Sequence, residues 1–185
     1  MATYKILDGE GTLRYVKTLG SGAVNDPYSS VTIDGYQVTV DEGKAFFHAD
    51  RHVISNNAEM RYLLKTGTTH SELYTLSMST SSAPVRIEVF EGTLVSANGS
   101  TETLHNMNRQ SASASTNLLY LNPTVTSDAT ELLSLQLEGA KNIGSHDTLF
   151  HGRMIFKASE NYMIRITNTS GATATVSILL EIGED

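Results

Sequence analysis

The sequence predicts one antiparallel all-β domain, and three observations predict it. Short apolar/polar alternations of period two recur along the chain. Turn-forming Gly, Asn and Asp separate them. Ser and Thr together approach roughly a quarter of the 185 residues, while apolar residues make up only 39%. Thin, half-buried strands suit that balance. A parallel sheet covered on both faces would need continuous Val/Ile/Leu runs.

The first residues are Gly-rich and polar, with candidate strands at Tyr4–Leu7 and Leu13–Leu19. Residues 1–28 read as an N-terminal arm with local β structure, and residues 29–185 as a single domain. After the Asp34-Gly35 turn, Tyr36, Val38 and Val40 alternate with Gln37 and Thr39, which predicts a strand, with Val31–Ile33 pairing back or bulging.

The clearest alternations are Val85/Ile87/Val89, Leu133/Leu135/Leu137, Tyr162/Ile164/Ile166 and Ala174/Val176/Ile178/Leu180/Ile182. Weaker strands are expected at Ala45–Val53, Ser71–Ser79, Thr101–Met107 and Leu118–Leu121. Asn56 to Gly67 carries a helix-like spacing of Met60, Leu63 and Leu64, but its Asn-rich start reads better as a turn into a strand. Asn98-Gly99 joins two strands, and Asn168–Ala172 is expected to close a C-terminal hairpin. Ser111–Thr116 reads as an extended exposed edge, and Gly139–His151 as a long loop. The total is about eight to ten strands, a number usual in sandwiches and barrels.

Charge and composition narrow the function. A formal net charge of −7, with 13 scattered basic residues, argues against a nucleic-acid partner, which would need clustered Lys and Arg. No run reaches the length of a membrane-spanning helix, and the opening residues lead into no signal-peptide core, so neither a membrane partner nor export is expected and synthesis is placed in the cytoplasm. The absence of cysteine agrees with that compartment and leaves the fold to burial and backbone pairing. Asn98 and Asn168 begin N-x-S/T triplets, which count for little in a Ser/Thr-rich chain without a secretion signal.

The sharpest local feature is Phe46–His52. On an extended strand His48, Asp50 and His52 project from one face, and two imidazoles with a carboxylate are three potential ligands for zinc or iron. Same-face neighbours lie about 6.5–7 Å apart along a strand, so sharing an ion needs convergent side chains. A fourth ligand would come from His105, His146 or His151. The ordinary reading of such a face is solvated, with an Asp–His hydrogen bond, and it is preferred; no cofactor is expected.

Enzyme chemistry finds little else to stand on. His146, Asp147 and His151 are not accompanied by a Gly-x-Ser-x-Gly elbow, a cysteine nucleophile or a metalloprotease helix motif. Glu88 with Glu91, or Asp41 with Glu42, read as surface acids rather than a glycosidase pair. Gly20-Ser21-Gly22 lacks the Gly-Lys-Ser/Thr ending of a phosphate loop. A non-enzymatic protein is expected.

Three stretches carry a resemblance: Val40–Phe46, then Val85–Gly92 with Leu104–Arg109, then Tyr162–Asn168 with the turn that follows. In these the chain resembles the head decoration, or cement, proteins of tailed bacteriophages. The resemblance implies a jelly-roll-like sandwich, assembly as a small homo-oligomer (a trimer), and docking on the outer capsid surface, with the major capsid protein as partner and the virion as location. It transfers no site residues. The alternatives are a phage tail or baseplate attachment module and, further off, a metal-dependent cupin-like enzyme using His48, Asp50 and His52.

Overall fold

The computed structural model describes residues 2–7, 13–18, 35–81, 84–138 and 145–184. Apart from one short helix, its regular elements are strands. The backbone of β1 (Ala2–Leu7) and β2 (Leu13–Thr18) forms an antiparallel hairpin, with Leu7 opposite Leu13. The Val31–Ile33 expectation lies outside the described residues.

The main body is a two-sheet sandwich. One sheet is built on β3 (Ala45–Ile54), β15 (Ala174–Glu184), β5 (Ser71–Thr80) and β13 (Ser145–Phe156), in that spatial order. The other is built on β4 (Glu59–Lys65), β14 (Asn161–Asn168), β6 (Val85–Glu91) and β12 (Thr130–Leu137). All pairings are antiparallel. Successive strands β3, β4, β5, β6 and then β12, β13, β14, β15 cross from one sheet to the other each time. That alternation, with two four-stranded sheets, is the jelly roll.

Three of the four clearest alternations fill the space between the sheets: Val85, Ile87 and Val89, Tyr162, Ile164 and Ile166, and Ala174, Val176, Ile178, Leu180 and Ile182 of β15 all enter one core cluster, with Tyr62, Leu64, Leu76 and Met78. Each such Leu, Ile or Val contributes about 1.5–3 kcal/mol by leaving water. On β12 the alternation does not hold, since Leu137 is buried but Leu135 is exposed.

Between β6 and β12 the chain makes an excursion, residues 92–129, that closes one side of the sandwich. Its β8 (Ser100–Glu102) and β10 (Leu118–Leu121) extend the second sheet past β4, and β9 (His105–Asn106) extends the first past β3. Its β7 (Leu94–Ala97) and β11 (Thr124–Ser127) pair separately. The bend between the two ribbons falls at Gly99 (φ 88°) and Asn122 (φ 54°). A Cβ on Gly99 would lie 2.1 Å from the Leu121 carbonyl oxygen, so close approach and left-handed backbone both require glycine there.

Several expectations need correcting. Tyr36–Val40 is not a strand: Gly35–Asp41 forms helix α1. Its β-branched residues favour extension, but tertiary contacts override that preference. Tyr36 packs edge-on against Tyr74 of β5 at 4.7 Å and its hydroxyl donates to Met107 Sδ. Gly43, at φ 72°, ends the helix in the left-handed region. Asn168–Ala172 does not close a hairpin, because β14 and β15 belong to different sheets. The Asn168 amide is fully buried and donates to the carbonyls of Ile54, Ser55 and Ala172, which holds the crossover and leaves no nitrogen for a glycan.

The expected loop Gly139–His151 contains, from Ser145, the twelve-residue β13. Its register against β5 breaks twice, which blurs the alternation that would have marked it. Thr101–Met107 divides into β8 and β9. The Asn-rich start at Asn56-Asn57 is a turn into β4, as read.

Candidate functional site

His48, Asp50 and His52 do share one face of β3, and it is the inward one. By register they stand opposite Leu180, Ile178 and Val176 of β15, whose side chains belong to the core. A polar row facing inward survives here because β3 lies next to the sheet's edge, paired beyond it only with the two residues of β9 at Phe46 and Phe47. The row therefore looks across the sandwich rim towards β4, β10 and β8 of the opposite sheet.

What it meets there is Glu102 of β8 and Tyr62 of β4. One ligand atom each from His48, Asp50 and Glu102 lie within 4.8 Å of one another. His48 is buried, 5% exposed, while Asp50 and Glu102 are half-buried. His48 Nδ1 lies 3.1 Å from the Thr103 carbonyl oxygen. A carbonyl only accepts, so Nδ1 carries the proton and donates it. In the neutral ring that leaves Nε2 as a bare lone pair. It has no hydrogen-bond partner; the nearest carboxylate oxygen, Asp50 Oδ2, is 4.0 Å away.

Asp50 is held by two other donors. The Arg51 backbone N–H donates to Oδ1 at 2.6 Å and the His52 ring N–H to Oδ2 at 2.6 Å. Partial burial pushes the Asp50 carboxyl up, but those bonds and the neighbouring imidazoles outweigh it and hold the group below the usual carboxylate value. Tyr62 closes the inner wall, its ring edge-on to His48 at 5.6 Å and to His52 at 6.3 Å. Its hydroxyl is buried without a partner. Burial first, then the charges of Asp50 and Glu102, push the Tyr62 phenol well above its usual value.

The other histidines are not brought in. His105 is exposed and its ring lies beside Phe47 at 5.6 Å. His146 and His151 belong to β13, at the opposite edge of the five-stranded sheet, paired by register with Ser79 and Thr75.

Glu102 and Tyr62 are what sequence reasoning missed. Glu102 sits in an unremarkable Thr-Glu-Thr run of a three-residue strand, and only the excursion between β6 and β12 brings it to β3. Tyr62 is one of the buried residues of β4, and its hydroxyl is enclosed with its ring.

A second polar cluster lies on the outer face of the six-stranded sheet. Arg165 of β14 stands opposite Glu88 of β6 and Arg61 of β4. Its Nε donates to Glu88 Oε2 at 2.9 Å, its guanidinium also donates to Asp128 Oδ2 at 2.7 Å, and the group lies 4.6 Å from the centre of the Phe90 ring. The Arg165 bond, against a smaller opposing effect of burial, holds Glu88 below the usual value, while Arg165 is pushed up. Glu91 is likewise engaged, accepting from Lys157 Nζ and from the Tyr162 hydroxyl. Both acids considered as a glycosidase pair thus serve in structural ion pairs.

No known family model matches the chain, and no curated protein matches it. Among solved structures it is similar to a chain in the structure of infectious bursal disease virus, Gx strain, at 13% identity and a TM-score of 0.17. That comparison covers 92% of this chain and 46% of the other, so this chain spans less than half the length of its neighbour. A TM-score of that size implies no shared fold. Among the described residues, no helix is long and apolar enough to cross a membrane.

Proposed function

We propose that this chain is a structural protein of a tailed-phage virion, binding the outer capsid surface as a small homo-oligomer, a trimer, and stabilising the head. The observation that supports the reading is where the decoration-protein-like segments lie in the jelly roll. Val85–Gly92 and Tyr162–Asn168 are the paired strands β6 and β14 at the middle of one sheet. Val40–Phe46 and Leu104–Arg109 meet at the rim, where Phe46 pairs with Asn106 and the Asn106 amide donates to the Gly43 carbonyl. The resemblance therefore follows the framework of the domain rather than one local motif.

The mechanism would be mechanical. Large apolar side chains are exposed singly on several elements, Val53 on β3, Leu94 on β7, Leu118 on β10 and Ile155 on β13. Spread over a polar surface, they suit broad, wet contacts that oligomerisation multiplies by avidity.

The test is addition of purified protein to undecorated heads. The expected result is saturable binding in a fixed ratio to capsid subunits and heads that resist heating better. Decoration of tails in electron micrographs instead, or no binding to heads, would overturn the reading. Deleting residues 1–28 is expected to weaken head binding, because the arm is proposed to order against the capsid or a neighbouring subunit.

A further inference from the structure

We propose that His48, Asp50 and Glu102 bind one divalent transition-metal ion that ties the 92–129 excursion to the jelly roll across the sandwich rim.

The argument begins with a surplus of acceptors. With Nδ1 carrying the proton, Nε2 of the neutral ring form is a lone pair with no donor, in a ring 95% enclosed; Asp50 Oδ2 is 4.0 Å from it, and a Glu102 carboxylate oxygen lies within 4.8 Å of the His48 ring nitrogen and Asp50 oxygen of the cluster. An unpaired buried acceptor has lost its water without gaining a donor, which is unfavourable. Two neighbouring carboxylates add mutual repulsion. A divalent cation satisfies all three at once and makes the site electrically neutral. Tyr62, 1% exposed, walls the site on its inner side with its ring edge-on to His48 at 5.6 Å, which keeps bulk water from that side.

The geometry fits an ion of small radius. Metal bonds of about 2.0–2.2 Å in a tetrahedral shell put two ligand atoms about 3.4 Å apart. His48 Nε2 and Asp50 Oδ2 are 4.0 Å apart, too far for a hydrogen bond and about half an ångström beyond that separation. Drawing in Glu102 from the 4.8 Å limit needs a side-chain movement of at most about 1.4 Å, within the reach of a half-buried glutamate rotamer.

The surroundings match those of metal ligands. The Nδ1–H of His48 is fixed on a backbone carbonyl, which aims Nε2 at the ion, and Asp50 is oriented by His52 and the Arg51 N–H. His52 thus acts as a positioning residue. One imidazole with two carboxylates favours Zn²⁺ or its neighbours over Ca²⁺ and Mg²⁺, which take all-oxygen shells.

The test is titration of full-length, tag-free protein, stripped with chelator, with Zn²⁺ alone and with Ca²⁺ alone. One Zn²⁺ per chain is expected, with a rise in Tm and slower proteolysis of the 92–129 segment. Glu102→Gln, on a half-exposed edge strand and nearly isosteric, should weaken Zn²⁺ binding at least about 100-fold without unfolding the chain, and His48→Ala likewise. His52→Ala should cost about 10-fold. His70→Ala, an exposed residue, should leave binding unchanged. Failure to bind Zn²⁺ below millimolar concentration, binding undiminished by Glu102→Gln, preference for Ca²⁺, or a proton found by NMR on His48 Nε2 in Zn²⁺-saturated protein would each overturn the proposal.

Discussion

The outer face of the six-stranded sheet and the inner rim at β3 each gather charged side chains, but they are balanced differently. Around Arg165 every carboxylate has a donor: Glu88 and Asp128 both receive hydrogen bonds from one guanidinium, which also lies on Phe90, and the buried atom without a partner beside it, Arg61 Nε, is a donor. Around His48 acceptors predominate: Asp50 is served by His52 and Arg51, while His48 Nε2 has no partner. A balanced cluster is complete within the chain and works as structure. An unbalanced one asks for something from outside.

The largest effect that would break this comparison is Arg165→Met. It leaves the buried Glu88 carboxylate with only the more exposed Arg86, whose Nε lies 3.2 Å from Oε2, so a loss of about 2–3 kcal/mol is expected in urea unfolding. Adding Glu88→Leu should recover most of that, because the charges then left without these partners, Asp128 and Arg86, are exposed enough to be solvated. A loss below about 1 kcal/mol for the single variant would place the cluster among ordinary surface pairs.

Glu184 offers a second balanced carboxylate, and almost as large an effect. It is buried and accepts from the hydroxyl and backbone N–H of Thr116, from the Asn117 amide, and from the Ser115 hydroxyl. Glu184→Ala should cost about 2 kcal/mol and speed hydrogen exchange at 115–117, at the end of the Ser111–Thr116 stretch expected to be an extended exposed edge. His48→Leu, measured in chelator, is expected to change stability by no more than about 1 kcal/mol, since removing an acceptor that had no donor offsets the loss of one hydrogen bond to the carbonyl of exposed Thr103. A larger loss would mean that His48 is as structural as Arg165.

Smaller effects concern pH. Glu88 titrates lower in the folded chain than its usual 4.5, so its contribution is present above that value and is lost as pH falls through the folded pKa. The acid limb of the stability profile should therefore flatten in Arg165→Met. Burial pushes the phenols of Tyr74 and Tyr162 up to about 12. Their contribution is complete below pH 10 and is lost as pH rises towards 12, so alkaline unfolding should track tyrosinate absorbance.

Much of the sandwich was legible because burial on one face of a strand writes itself as alternation. Val85–Val89, Tyr162–Ile166 and Ala174–Ile182 are strands whose alternate residues enter the core. Val38 and Val40 alternate as cleanly and stand in a helix, since Tyr36 gains more against Tyr74 than the local preference for extension supplies. The strand β13 was hidden by its register breaks, and the ribbon of β7 and β11 by its brevity.

An antiparallel all-β domain and the common face of His48, Asp50 and His52 follow from local pattern, because side-chain direction along a strand follows from period two alone. That this face points inward, that β14 and β15 part into different sheets, and that Glu102 and Tyr62 complete the rim are properties of the assembled sandwich. Those facts depend on which strands become neighbours. Pairing across long stretches of chain is set by the packing of the whole core, and no local pattern carries it.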